Sequence, residues 1–265
     1  MGALSPLLTV MTDVAARAGR SLNRDFRDIE HLQVSRKGPA DFVSVADRKA
    51  EDIIYDRLTQ ARPGYGFVME ERGIVEGTDR SHRWIVDPLD GTLNFLHGMP
   101  HFAVSIALER EGELVAGVVY NPATDELFHA EKGRGAWLSD RRLRVADRKH
   151  FDEAVIATGM PFLGKKGHAS FLKELHQIMP HTAGVRRMGS AALDLAWVAA
   201  GRYDGFWERN LKSWDIAAGI VLVREAGGFI AEIDGADNVL ETGNIVAGNE
   251  FMQGELAQRL KAAAG

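Results

Sequence analysis

Apolar residues near the start of the chain, Leu4, Leu7, Leu8, Met11, Val14, Ala15 and Ala18, recur at three- and four-residue intervals. That spacing lines one face of an α-helix, so the pattern predicts an amphipathic opening helix with Gly19 as its stop. A second helix is expected from Asp47 to Gln60, with Ile53, Ile54 and Leu58 on one face and Pro63-Gly64 closing it. Between the two, Arg36-Lys37-Gly38-Pro39 reads as a basic turn. After Arg83 the texture changes. Trp84-Ile85-Val86 reads as a short buried strand, Phe102 to Leu108 and Leu114 to Tyr120 as neighbouring strands joined at Glu111-Gly112, and Leu127-Phe128 as the start of a third. Ser190 to Ala200 predicts a helix with Ser190 as its N-cap and Gly201 just past its end. Asp215 to Ala226 predicts another, closed by Gly227-Gly228. Phe229 to Ile233 and Asn244 to Ala247 read as strands, and Glu255 to Ala263 as a terminal helix. Helices mixed with antiparallel-looking strands place the fold in the α+β or layered α/β class, without internal repeats and with a soft boundary near Asp147 to Asp152.

Composition narrows the function classes. The chain has 265 residues, 45% hydrophobic and 26% charged, enough apolar material for a substantial core. A net charge of −5 gives no support for nucleic-acid binding as the main role, because such domains carry a basic excess. The absence of cysteine excludes disulfides, thiolate zinc sites and a Cys nucleophile, and fits a cytoplasmic setting. Neither a leader segment nor an apolar run of membrane-spanning length is expected.

Three acidic segments carry the candidate chemistry: Glu70-Glu71 after Phe67-Val68-Met69, Asp87-Pro88-Leu89-Asp90-Gly91-Thr92 after the Trp84 strand, and Trp214-Asp215 opening a small-residue helix. In the middle segment a strand delivers Asp87 at its carboxyl end, and Pro88 is expected to stop the strand ladder. Asp90 follows within one turn, and Gly91 lets the backbone approach a ligand closely. A helix starting at Thr92 would turn its N–H groups toward the same point, where a phosphate would fit. Clustered oxygen donors beside an anion site suit Mg²⁺. Each segment also has a plainer reading: Asp-Pro-x-Asp-Gly as a turn, Glu70-Glu71 as a solvated loop, Asp215 as a complement to the helix dipole.

Together and in this order the segments resemble a known family. Trp84-Ile85-Val86-Asp87-Pro88-Leu89-Asp90-Gly91-Thr92-Leu93-Asn94-Phe95 is similar to the first signature of the inositol monophosphatase family, and Trp214-Asp215-Ile216-Ala217-Ala218-Gly219 to the second. Asp41-Phe42-Val43-Ser44 leading to Asp47, Glu70-Glu71, Gly189-Ser190-Ala191-Ala192 and Gly243-Asn244 add to the match, which runs from about Leu7 to Gln258. Glu208, seven residues before Asp215, favours the inositol branch, and the overall texture resembles the bacterial-type enzymes.

The resemblance implies a single domain over residues 1–265, folded as a layered αβαβα sandwich of the Mg²⁺-dependent sugar phosphatase type. It implies hydrolysis of a small polyol phosphate monoester, inositol 1-phosphate first among them, by metal-activated water. Glu70 and Asp87 with the Leu89 carbonyl would hold one Mg²⁺, and Asp87, Asp90 and Asp215 a second, with Glu70 sharing a third. Gly91 and Thr92 would bind the phosphate. Thr92 paired with Asp47 would help deprotonate water, and Asp90, Ala191 and Glu208 would contact substrate hydroxyls. Homodimer assembly and lithium inhibition are further family traits. The same core serves relatives acting on fructose 1,6-bisphosphate, histidinol phosphate or 3′-phosphonucleotides, and a regulatory, partner-binding protein on this fold is the alternative from another class. Met69 and Leu93 depart from the commoner glycine and threonine without removing a charge.

Other signals point elsewhere. Gly133-x-Gly135 is a turn and not a nucleotide fingerprint, and the histidines lack the spacing of a zinc motif. Arg186-Arg187 and Arg141-Arg142 read as solvated faces, and Arg36-Lys37 as part of a loop able to move over the metal site.

Overall fold

The computed structural model describes residues 4–29, 34–38, 41–236 and 238–264. The chain opens with helix α1 (Pro6–Arg27), the hairpin strands β1 (Val34–Gly38) and β2 (Asp41–Ser44), and helix α2 (Val45–Ala61). Strands β3 (Tyr65–Met69), β4 (Gly73–Val75) and β5 (Asp79–Asp90) lead to the short helix α3 (Thr92–Leu96). A meander follows: β6 (Ala103–Arg110), β7 (Glu113–Asn121), β8 (Glu126–Glu131), β9 (Gly135–Leu138) and β10 (Arg141–Arg142). The second half holds β11 (Val155–Thr158), α4 (His168–Ile178), β12 (Gly184–Arg186), α5 (Ala191–Ala199), β13 (Gly205–Glu208) and α6 (Ser213–Glu225). It ends with β14 (Phe229–Glu232), α7 (Val239–Thr242), β15 (Ile245–Gly248) and α8 (Glu250–Ala264).

Strands β3 to β10 form an eight-stranded sheet in the order β10-β9-β8-β7-β6-β5-β3-β4, and β11 to β15 a five-stranded one in the order β12-β11-β13-β15-β14. Three apolar layers join the elements. Leu8, Met11, Ala18 and Leu22 of α1, with Ala50, Ile54 and Leu58 of α2, pack on Trp84, Val104 and Val118 of the large sheet. Helices α5 and α6 are buried nearly all round, as Leu195, Ala199, Ile220 and Leu222 show, and lie between the two sheets. Ile178 of α4 and Met252, Leu256 and Leu260 of α8 cover the far face of the small sheet against Trp207 and Val246. The order helix, sheet, helix, sheet, helix is the layered sandwich that the resemblance implied. Among the described residues no helix is long and apolar enough to cross a membrane.

Several expectations are corrected. Helix α1 runs through Gly19 to Arg27. Gly19 is there for closeness and not as a stop, since a Cβ at this position would lie 2.7 Å from Tyr120 Cδ1 and 3.0 Å from Pro122 Cβ. The helix therefore rests directly on the end of β7. Arg36 and Lys37 stand on β1 and not in a turn or loop; Pro39, the last residue of the expected turn, lies outside the described residues. Strand β5 does not stop at Pro88 but reaches Asp90, and it pairs parallel with β3, as β11 does with β12 and β13, so neither large sheet is purely antiparallel. Helix α8 starts five residues earlier than expected, because the Asn249 side chain accepts the Met252 N–H at 2.8 Å.

The Gly19 contact gives a stability test. Gly19→Leu would force the buried Tyr120 ring or the helix to move, an overpacking cost of about 1–3 kcal/mol. A urea unfolding midpoint equal to that of the unaltered chain would show that the interface yields freely.

Candidate active site

The carboxylates are brought together by a flaw in the sheet. Residues three apart on a regular strand face opposite sides. Here Asp87 pairs with Ser105 and Asp90 with Ala103, so β5 spends one more residue than β6 over this stretch. The bulge falls at Pro88, which has no N–H for the ladder, and it lets Asp87 and Asp90 share a side. Gly91 follows at φ +93°, a left-handed conformation that costs other residues energy. A Cβ there would also press on the His101 carbonyl at 3.1 Å and the Gly189 carbonyl at 3.4 Å. Asn94 then ties α3 to the segment before α5, donating to the carbonyls of His101 at 2.7 Å and Met188 at 2.8 Å.

Each acidic residue is held by its own element. Asp87 is 2% exposed and accepts the Leu89 N–H at 2.9 Å. Asp90 Oδ2 accepts from the Ser190 hydroxyl at 2.6 Å and the Ala192 N–H at 2.7 Å, so it caps α5 from the other sheet. Asp215, in the first turn of α6, accepts the Lys212 N–H at 2.7 Å. Glu70 follows β3 directly, its N–H donating to the Val86 carbonyl of β5. The loop there is anchored by Glu51, buried on α2, which accepts the Glu71 N–H at 2.9 Å.

Burial pushes the Asp87 carboxyl well above the usual range, and the charges of Glu70, Asp90 and Asp215 push it further. Burial likewise raises Asp90 to about 6, against the hydrogen bonds from Ser190 and Ala192. Asp215 is raised by burial first, then by Asp90 and Glu70. The four groups thus feel one another across a poorly solvated space. Among the described residues no three His, Asp or Glu side chains stand in ligating geometry for a metal ion.

Beside them lies a hydroxyl pair. Thr92 Oγ1 is 3.2 Å from Asp47 Oδ1 and 3.1 Å from the Leu89 carbonyl oxygen. Asp47 is fully buried and fixed by Ser44, whose N–H donates to Oδ2 at 2.8 Å and whose hydroxyl donates at 2.5 Å, as part of the α2 capping box. Burial raises its carboxyl pKa.

Glu208, at the end of β13, faces the same region. Its carboxylate lies so close over Gly159 that an added Cβ would overlap it. Burial and the Asp90 charge raise Glu208 to about 8, opposed by Arg187. Ala191 opens α5 and is 6% exposed.

Asp47, Asp87, Asp90, Gly91, Thr92, Asp215 and Glu208 are therefore placed around one junction of β5, α3, α5 and α6. Sequence reasoning missed two members. Asp194 on α5 is 1% exposed, its Oδ1 has no hydrogen-bond partner among the described residues, and burial with Glu208 and Asp90 nearby raises its pKa well above the usual range. An acid inside the run Ala191-Ala192-Leu193-Asp194-Leu195-Ala196 was the available signal, since unpaired acids are rarely buried. Gly159 carried no signal, because its neighbour comes from a distant strand. Arg187, read as a solvated face, acts electrostatically on both Asp194 and Glu208.

Fold and site together define a phosphate-ester hydrolase of the layered α/β type, and the comparisons with known proteins agree. The sequence model of the inositol monophosphatase family matches residues 3–264, and the chain belongs to that family. An inositol-1-monophosphatase of Mesorhizobium japonicum is 62% identical, over 98% of this chain and 97% of the relative. The Nus factor SuhB of Escherichia coli K12 is 44% identical, over 93% and 92%. The crystal structure of extragenic suppressor protein suhB from Bartonella henselae superposes with a TM-score of 0.95 at 57% identity, covering 97% of this chain and 99% of that one.

The raised Glu208 carboxyl makes stability pH-dependent. Folded, Glu208 keeps its proton up to about pH 8, whereas its ordinary value is 4.5. In that window the folded chain binds more protons than the unfolded one, so this group's contribution falls as pH rises. Glu208→Gln, which stays neutral, should gain stability relative to the unaltered chain as pH climbs across the window. Urea titrations in metal-free buffer check this; a difference that stays constant with pH would place the Glu208 pKa near its ordinary value.

Proposed function

We propose that the chain hydrolyses the phosphate monoester of a small polyol, with inositol 1-phosphate as the leading substrate, using Mg²⁺ bound at Glu70, Asp87, Asp90, Asp215 and the Leu89 carbonyl. The observation that carries this reading is the concentration of carboxylates at the β5–α6 junction, where burial raises Asp87, Asp90 and Asp215 and the neighbouring charges raise Asp87 and Asp215 further. An all-oxygen, multiply anionic donor set fits a hard divalent cation. The support comes from the gathered charge and the donor chemistry, not from a formed cage. Bound there, two or three Mg²⁺ ions would lower the pKa of a water, neutralise phosphoryl oxygens and stabilise the leaving alkoxide.

The remaining work falls to the chain itself. With the Leu89 carbonyl among the groups that would hold a cation, the Thr92 hydroxyl would direct its proton to Asp47. Its lone pairs then face outward, where they can orient a water and accept its proton. Ser44 holds Asp47 still while this happens. Gly91 and Thr92, at the start of α3, present backbone N–H groups to the phosphate. Phosphoryl transfer requires positioning and electrostatics above all, and these rigid strand-end and helix-start positions supply both. Asp90, Ala191 and Glu208 would contact the polyol, and the neutral form of Glu208 would both donate and accept hydrogen bonds with hydroxyls. Homodimer assembly and lithium inhibition belong to the same reading.

The decisive assay is phosphate release, with and without Mg²⁺, from inositol 1-phosphate, fructose 1,6-bisphosphate, histidinol phosphate and 3′-phosphoadenosine 5′-phosphate. A Mg²⁺-dependent preference for the first supports the proposal; a preference for another ester moves the enzyme to that branch. Asp90→Asn keeps an oxygen to cap α5 but loses a charge, so turnover should fall by at least about 100-fold with the melting temperature little changed. Turnover retained at saturating Mg²⁺ would sink the ligand assignment. Glu208→Ala should alter preference among esters more than turnover on a featureless one, and equal loss on every ester would remove Glu208 from substrate recognition.

A second reading has one observation behind it: the 44% identical relative carries the name Nus factor SuhB. A partner-binding role would coexist with catalysis, and a surface variant that loses a partner while keeping full turnover would reveal it.

A further inference from the structure

The outer face of α1 carries a feature that hydrolysis does not use. Arg17, Arg20, Arg24 and Arg27 recur at intervals of three, four and three residues. At 3.6 residues per turn they fall within a sector of about 80°, spread over roughly 15 Å of helix. The buried face, with Met11, Ala15, Ala18 and Leu22, lies on the opposite side. These guanidiniums line a cavity of about 700 Å³ whose other wall comes from α2, through Ile53, Asp56 and a fifth arginine, Arg57.

The charge is largely uncompensated. Arg17 pairs with Asp13 at 2.7 Å. Among the described residues Arg20, Arg24, Arg27 and Arg57 have no ion-pair partner, and Asp56 is the one acid lining the cavity. Asp25, on the same helix, is already bound to Lys49. Complementing the helix dipole accounts for Arg24 and Arg27, which lie in the last turn of α1, but not for Arg17, Arg20 or Arg57. A merely solvated face does not account for the choice of residue either, since among the described residues no lysine lines the cavity. Arginine is the side chain whose planar fork matches phosphate oxygens two at a time.

We propose that this trough binds a small, linear, multiply phosphorylated anion carrying at least three phosphate groups, at a site separate from the monoester site. Three observations select that chemistry. The cations are strung along a line and not focused on a point, so one phosphate could engage only part of the set. The volume is that of a small-molecule site. Among the described residues no aromatic lines it, so they offer no platform for stacking bases, and nucleic acid is the less suitable occupant. None of the carboxylates at the β5–α6 junction lines it, which separates the two sites.

The test is titration calorimetry with inorganic tripolyphosphate and with orthophosphate, in buffer free of divalent metal so that chelation does not intervene. Tripolyphosphate should bind about tenfold or more tightly than orthophosphate, and binding should weaken steeply with salt. R24E/R57E should lose about tenfold or more of that affinity, and R24Q/R57Q should lose affinity in the same direction without adding repulsion. Turnover of the monoester should stay within roughly twofold in both, as expected for distant sites. Equal affinity for the two anions, or tripolyphosphate binding unchanged in the variants, overturns the proposal. So does a single-stranded oligonucleotide that binds about tenfold more tightly than tripolyphosphate and loses that advantage in R24E/R57E, because the trough would then serve a nucleic acid.

Discussion

Repulsion among carboxylates that water cannot adequately screen is the constraint around which this protein is built. Asp87, Asp90 and Asp215 each carry a desolvation penalty, the charges of Glu70, Asp90 and Asp215 raise Asp87 further, and those of Asp90 and Glu70 raise Asp215. Such an arrangement opposes folding unless rigid surroundings impose it. The surroundings here are two sheets and two almost wholly apolar helices, α5 and α6, whose burial between the layers supplies the driving force that the site consumes.

The devices that hold the charges are backbone devices. The bulge at Pro88 corrects the strand parity so that Asp87 and Asp90 face one side. Gly91 at positive φ turns the chain from strand to helix in a single residue. Asp90 and Asp215 both accept N–H groups at helix starts, so each carboxylate doubles as structural support for the helix it serves. Asp47 does the same for α2. A charge that caps a helix with one oxygen retains lone pairs on the other, and this reconciles a stable fold with a site that must still bind ligands.

Which parts of this were legible in the sequence follows from where the information lies. The helices α1, α2, α5 and α6 were visible because their apolar positions repeat locally, and the acidic segments because strand, turn and helix signals coincide within a few residues. Most of the missed elements are short; the 11-residue helix α4 is the exception. Strands β11 and β13 have four residues each, buried among neighbours that appear only after folding. Gly19 misled for a related reason: a glycine that lets a helix approach Tyr120 is indistinguishable in sequence from one that ends it. Glu51 was hidden inside an ordinary helical run, although it fixes the loop after β3. The Pro88 expectation was right about the lost hydrogen bond and wrong about its consequence, because a strand can absorb a proline in a bulge and resume.

The distribution of charge carries one further implication. The chain is acidic overall, with a net charge of −5, and concentrates buried acids where a phosphate dianion would have to arrive. Taken alone, that field repels the substrate. Arg187 offsets part of it at the Glu208 side, where it lowers the pKa values of both Asp194 and Glu208. It is a single charge against several, so a cation from solution is needed for the sign to reverse. The arginines of α1 do not fill this role, since they line a separate trough on the outer helical layer. Glu208, which burial raises to about 8, reduces the repulsion further on the side where a polyol would lie, and burial raises Asp194 beside it as well. Attraction for a phosphate and tolerance for hydroxyls would thus come from different parts of one acidic cluster: the carboxylates gathered at the β5–α6 junction, suited to a cation, and Glu208 beside Arg187, discharged by desolvation.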